Sequence, residues 1–126
     1  MTRANINFKS KDGNVYHWYW NGDQYPHGLV IWYGILGWIS YKEKFNSDGF
    51  AKWVGANYFD ENYPDYTIAV SPRSFLVGDG EDDYTYNFDE EKGTVLVREW
   101  KEIIFNGSRE DFIKWLGEKV IDFYKQ

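Results

Sequence analysis

The stretch VYHWYWNGDQYPHGL, residues 15–29, carries two kinds of local instruction in direct succession. Val15 to Trp20 is dense in β-branched and aromatic residues, which suit a pleated, half-buried surface. Asn21, Gly22 and Asp23 are turn chemistry. Pro26 presets the backbone angle of a first helical residue, where its missing N–H costs nothing. A strand that ends in a turn and hands over to a helix is therefore expected. Alternation along the strand sends Tyr16, Trp18 and Trp20 to one face and Val15, His17 and Tyr19 to the other. Both faces bear rings, so both are expected to be covered.

Upstream, ANINFKSKDGN alternates Ile6 and Phe8 with polar neighbours and ends in a tight Asp-Gly-Asn turn, which makes residues 4–20 a hairpin. Downstream, LVIWYGILGWISY (29–41) holds ten apolar residues in thirteen. That is shorter than the roughly 18–20 apolar residues a bilayer span needs, so it reads as a buried helix. Gly34 and Gly37 would leave a smooth stripe on it, open to a strand or to a second copy of the chain. Because the helix is apolar nearly all round, part of it is expected to meet another protomer, and a homo-oligomer follows.

Ser47 is the expected cap of a second helix to about Asn57, with Phe50, Trp53 and Val54 turned inward. YTIAVSP (66–72) reads as a strand, RSFLVGDGEDD (73–83) as a loop with room for a short strand, and DYTYNF (83–88) with GTVLVREWKEIIF (93–105) as a hairpin with a long second arm. Ser108 and Asp111 resemble a capping box that opens a last helix with Phe112, Trp115, Leu116, Val120 and Phe123 as its apolar stripe. The coarse order is ββααβββα. It describes a single α+β domain over residues 1–126, an antiparallel sheet with helices mainly on one face.

The 126 residues suffice for a packed core without metal or disulfide, and the absence of cysteine removes thiol chemistry and thiolate zinc sites. A polar start without an apolar leader implies a cytoplasmic protein. A net charge of −6 speaks against generic nucleic-acid binding through a basic surface. The two histidines have no metal-ligand spacing with each other, and neither a nucleophile elbow nor a phosphate-binding glycine loop is present. DGEDD (79–83) and DEE (89–91) do not match a calcium loop and read as solvated acids. No cofactor and no catalytic residue are assigned, and an enzyme is not expected.

Aromatic residues make up 21% of the chain. Around residues 16–28 two readings stand side by side. Tyr16, Trp18 and Trp20 fill the core, Asp23 caps the junction and Tyr25 staples the helix. Alternatively, these rings flank a helix start at Tyr25, His27 and Gly28 whose free backbone N–H groups at 27–29 receive an anionic group while the rings stack on a flat one. Arg73, Arg98, Lys101 and Arg109 are the cations available to balance a phosphate, or to pair with surface acids.

The same residues resemble small, mostly uncharacterised phage and archaeal-virus proteins. Their recurrent signature is a strand ending near a Tyr, then Asp-Gly-Tyr-Pro, one residue, Gly and a helix. Asp23, Tyr25, Pro26 and Gly28 match it, Gln24 stands for its first glycine, and the basic residue that usually follows the Tyr is absent. The resemblance spans about fifteen residues. It implies a virus-encoded accessory protein in a prokaryotic cytoplasm that blunts host defence. The expected function is sequestration of a small nucleotide-type signalling molecule. The alternatives are inhibition of a host defence protein by direct contact and a small nucleotide or glycan hydrolase.

Overall fold

Ile6 and Phe8 lose all solvent contact, and the hairpin that carries them sets the sheet. The computed structural model describes residues 3–57, 69–72 and 83–126. β1 (Arg3–Lys9) and β2 (Asn14–Asn21) run antiparallel, with Ile6 opposite Trp18 and Phe8 opposite Tyr16. Gly13 takes φ +88° in the turn between them, a left-handed conformation that glycine adopts without steric cost. β3 (Ala69–Pro72) lies beside β2, and β4 (Tyr84–Asp89), β5 (Thr94–Glu99) and β6 (Glu102–Ser108) extend the sheet on the other side. The order is β3-β2-β1-β4-β5-β6.

The sheet is mostly antiparallel, as expected, but it is mixed. β1 and β4 run parallel, bringing Ile6 beside Tyr86 and Phe8 beside Phe88. A parallel central pair is shielded on both faces in most folds, and all six residues of β4 are buried here. On the core face the sheet meets α1 (Pro26–Ile31), α2 (Leu36–Ile39), α3 (Ser47–Asn57) and α4 (Arg109–Tyr124). Phe50 of α3 stacks on Phe8 at 5.6 Å, and Phe112 of α4 meets Phe88 edge-on at 5.7 Å. The α+β class and the helices gathered on one face stand, and so does the order ββααβββα when α1 with α2 is counted as the one expected helix and β5 with β6 as the one expected arm.

Three elements differ in detail from expectation. The helix over Leu29–Tyr41 is two short ones, because Gly34 turns to φ +59° and breaks the hydrogen-bond ladder between them. The long arm after residue 93 is two strands, folded at Trp100, which holds φ 56° and donates its backbone N–H to the Asp83 carbonyl at 3.0 Å. Asn46 caps α3 in place of Ser47, its Oδ1 accepting the Gly49 N–H at 2.8 Å. Ser108 caps α4 as expected by accepting the Asp111 N–H at 3.1 Å. Of the strand read over 66–72, residues 69–72 are described as β3; the loop read over 73–83 lies outside the described residues except for Asp83. Among the described residues no helix is long and apolar enough to cross a membrane.

The opposite alternation of the central strands is polar yet also buried. Asn7 donates through Nδ2 to Asn87 Oδ1 at 2.9 Å, and its Oδ1 lies 2.7 Å from His17 Nδ1. Since that oxygen can only accept, the His17 proton sits on Nδ1. Three strands are thus tied by one row of side chains, and burial lowers the His17 pKa below 6.5.

Candidate functional site: an indole-floored groove

Trp38 is the centre of the helical layer. Its ring stacks on Trp53 at 5.3 Å and on Phe45 at 6.0 Å, and it meets Phe8 and Phe88 edge-on. Such offset and edge contacts are each worth about 0.5–1.5 kcal/mol beyond area burial. Each indole N–H is aimed at a backbone carbonyl: Trp38 Nε1 donates to Lys44 O at 2.6 Å, and Trp53 Nε1 donates to Tyr33 O at 2.7 Å. Asn57 Nδ2 adds a second donor to Tyr33 O at 2.8 Å. The bonds from Trp53 and Asn57 tie the α1–α2 connection to α3.

Between them lies a groove of about 720 Å³, floored by Trp38 and Trp53 with Trp32 at the rim. Clefts of roughly 300–1,000 Å³ are the usual size for small-molecule sites. Among the described residues three glycines line it. A Cβ built on Gly34 or Gly37 would have no atom within 4 Å, so bare backbone forms that wall, whereas a Cβ on Gly49 would stand 1.9 Å from the Lys44 carbonyl oxygen. Gly34 and Gly37 both line the groove. Lys44, Lys52, Glu43 and Asp48 complete the lining.

The residues singled out in the sequence fall into separate places. Trp18 is 3% exposed and stands edge-on behind Trp53 at 5.5 Å, so it supports the groove floor from the core side. Tyr16 is half-buried against the same core. Tyr25, His27 and Phe123 form a parallel ladder, at 5.3 Å and 4.2 Å between successive rings, and Tyr84 meets Tyr25 edge-on. These rings stack on one another. Burial lowers the His27 pKa, while Asp23 opposes the shift.

At the start of α1 the Leu29 N–H already donates to Tyr25 O at 3.0 Å. Gly28 is buried with the Asp23 carbonyl oxygen in the space a Cβ would take. Asp23 itself is exposed with φ 47°. Arg109 is buried and donates to Ile39 O at 2.6 Å, tying α4 to the end of α2, and pairs with Glu110 at 2.9 Å. Arg98 lies on β5 opposite Thr85, in the alternation that turns away from the core residues Val95 and Val97. Lys101 is exposed in the β5–β6 turn. Arg73 and the Trp20 side chain lie outside the described residues.

The groove residues Trp32, Trp38, Lys44 and Lys52 were not singled out in the sequence, and Trp53 was read only as a core residue of its helix. The available signal was the Gly34-x-x-Gly37 spacing, which reads equally well as a packing stripe. Among the described residues no group of three His, Asp or Glu side chains could hold a metal ion. Comparison with family models, curated proteins and solved structures gives no match for the chain.

Proposed function

We propose that the chain is a non-catalytic binding protein that sequesters a flat small molecule of the nucleotide type in the groove between the α1–α2 connection and α3. The observation that carries this reading is a cleft of ligand size whose lining includes the Trp32 ring, more than half exposed, and the bare backbone of Gly34 and Gly37, over a buried base of Trp38 and Trp53. Planar heterocycles stack on indole faces whatever their edge pattern. Isothermal calorimetry against cyclic and linear adenine nucleotides tests it. Saturable binding that Gly37→Leu abolishes supports the reading, and a folded protein that binds nothing in the panel refutes it. The virus-encoded, anti-defence setting comes from the resemblance around residues 15–29. Rescue of phage growth in a defended host by wild type, lost in Gly37→Leu, is its test.

A second reading, inhibition of a host protein by direct contact, is favoured by the large apolar residues left at the surface. Trp32, Trp100, Ile103, Ile121 and Tyr124 are each more than half exposed. Exposed apolar patches mark partner surfaces more often than chance. This reading expects stable co-purification with one host protein and no small-molecule affinity.

A further inference from the structure

Taking the groove as the binding site of the proposed function, we infer that it selects its ligand by the uncharged ring system and leaves any phosphate unread. The ligand class is therefore the nucleobase or nucleoside, and a nucleotide binds through that part alone.

Charge is the first ground. The groove is lined by two cations and two carboxylates, so its formal charge cancels. Both cations are engaged: Lys52 Nζ lies 3.0 Å from Asp48 Oδ2, and Lys44 Nζ sits 4.4 Å over the Tyr41 ring. A phosphate entering here would have to compete with Asp48 for Lys52 and with Tyr41 for Lys44, while approaching Glu43. Lys52 and Asp48 are both exposed, and exposed ion pairs contribute about 0–1 kcal/mol, so a phosphate gains little by replacing that pair with another of the same kind.

Hydrogen bonding is the second ground. The polar groups of the wall are consumed internally. Tyr33 O accepts two donors, which uses both of its lone pairs. Trp38 Nε1 is bound to Lys44 O, and Asn46 Oδ1 is bound to the Gly49 N–H. What the groove presents instead is the exposed ring of Trp32 and the bare backbone of Gly34 and Gly37. A wall of that kind rewards planarity and apolar area, and it has few donors with which to cradle phosphate oxygens.

The test is calorimetry of wild type with adenosine, adenosine monophosphate, guanosine and inorganic phosphate, at low and at high salt. Adenosine and its monophosphate are expected to bind within about threefold of each other, with little response to salt. Inorganic phosphate should not bind. Lys44→Ala and Lys52→Ala should each move the affinity by less than about threefold, and Gly37→Leu should weaken it by more than about tenfold. Melting curves establish that each variant is folded. A monophosphate that binds more than about tenfold tighter than its nucleoside and weakens with salt would overturn the inference while leaving the binding function intact. Failure of every nucleoside and nucleotide removes both. Binding that survives Gly37→Leu unchanged moves the site elsewhere and also overturns the inference.

Discussion

Gly37 and Gly49 line the same groove, and the structure assigns them opposite responses to a side chain. An alanine Cβ at Gly49 would lie 1.9 Å from the Lys44 carbonyl oxygen and 2.8 Å from Trp38 Nε1. Those are the two atoms of the 2.6 Å hydrogen bond that anchors the central indole. The carbonyl is backbone and must move, so the strain of overpacking, about 1–3 kcal/mol, adds to a lost hydrogen bond worth about 1 kcal/mol. Replacing glycine by alanine inside a helix returns about 1 kcal/mol, leaving Gly49→Ala destabilised by about 1–3 kcal/mol. At roughly 4 °C per kcal/mol for a chain of this size, the melting temperature falls by about 4–12 °C. A Cβ at Gly37 meets nothing within 4 Å and a side chain there relieves a helical glycine, so Gly37→Leu should melt at or up to about 3 °C above wild type. Circular dichroism melts of the two variants decide the matter. Gly49→Ala melting at or above wild type, or Gly37→Leu falling as far as Gly49→Ala, would refute the geometry. Light scattering on the same Gly37→Leu sample separates the groove from the close-approach stripe expected of a homo-oligomer. A groove residue leaves the mass of the wild-type particle unchanged, while an interface residue lowers it.

Arg109→Met keeps the aliphatic stem but strips the buried Ile39 carbonyl of a charged donor at 2.6 Å; urea denaturation should show a loss of about 2–3 kcal/mol. For His17, burial depresses the imidazole pKa, so below pH 6.5 the unfolded chain takes up a proton that the folded chain refuses. Stability should therefore decline as pH falls through 6.5, by less than about 1.4 kcal/mol per pH unit, and level off below the folded pKa. His17→Gln should flatten that slope in urea titrations between about pH 7 and pH 5, and an unchanged slope would assign it to His27, whose pKa is lowered in the same sense. Trp100 holds φ 56° with its ring more than half exposed. Trp100→Gly relieves about 1–2 kcal/mol of left-handed strain against about 0.5–1 kcal/mol of added chain entropy, so the denaturation midpoint should rise slightly, and a lower midpoint would contradict the strain.

Elements whose signals are local were legible. The Asp-Gly-Asn turn and the alternation of Ile6, Phe8, Tyr16 and Trp18 fix the first hairpin. The Ser108 cap and the buried Phe112 and Leu116 fix the last helix. The features that escaped reading depend on non-local partners or on backbone choices against propensity. Nothing in REWKE announces a turn, because the chain folds back at a tryptophan in a conformation that bulky residues rarely adopt. The parallel β1–β4 pair joins strands some eighty residues apart in the chain, and neither strand's pattern names its neighbour. Gly34 was visible as a gap in an apolar run. Whether that gap admits a partner or bends the chain depends on its φ, which the run itself does not encode.

The distribution of rings follows from the same constraint. A buried indole gains when its N–H finds an acceptor, and strand carbonyls are largely taken by the sheet ladder. Trp38 and Trp53 solve this by turning their N–H groups toward carbonyls at 44 and 33, in connections outside the sheet. A connection held by an indole from beneath cannot collapse onto the neighbouring helix without breaking that bond. The groove is therefore a consequence of how the tryptophans are satisfied, and its floor is preorganised before any ligand arrives. Removing the acceptor geometry, as Gly49→Ala does, should close or distort the groove. Filling it from Gly37 should leave the two hydrogen bonds in place. If both variants lose ligand but only the first loses stability, the floor and the opening are separate properties of one site.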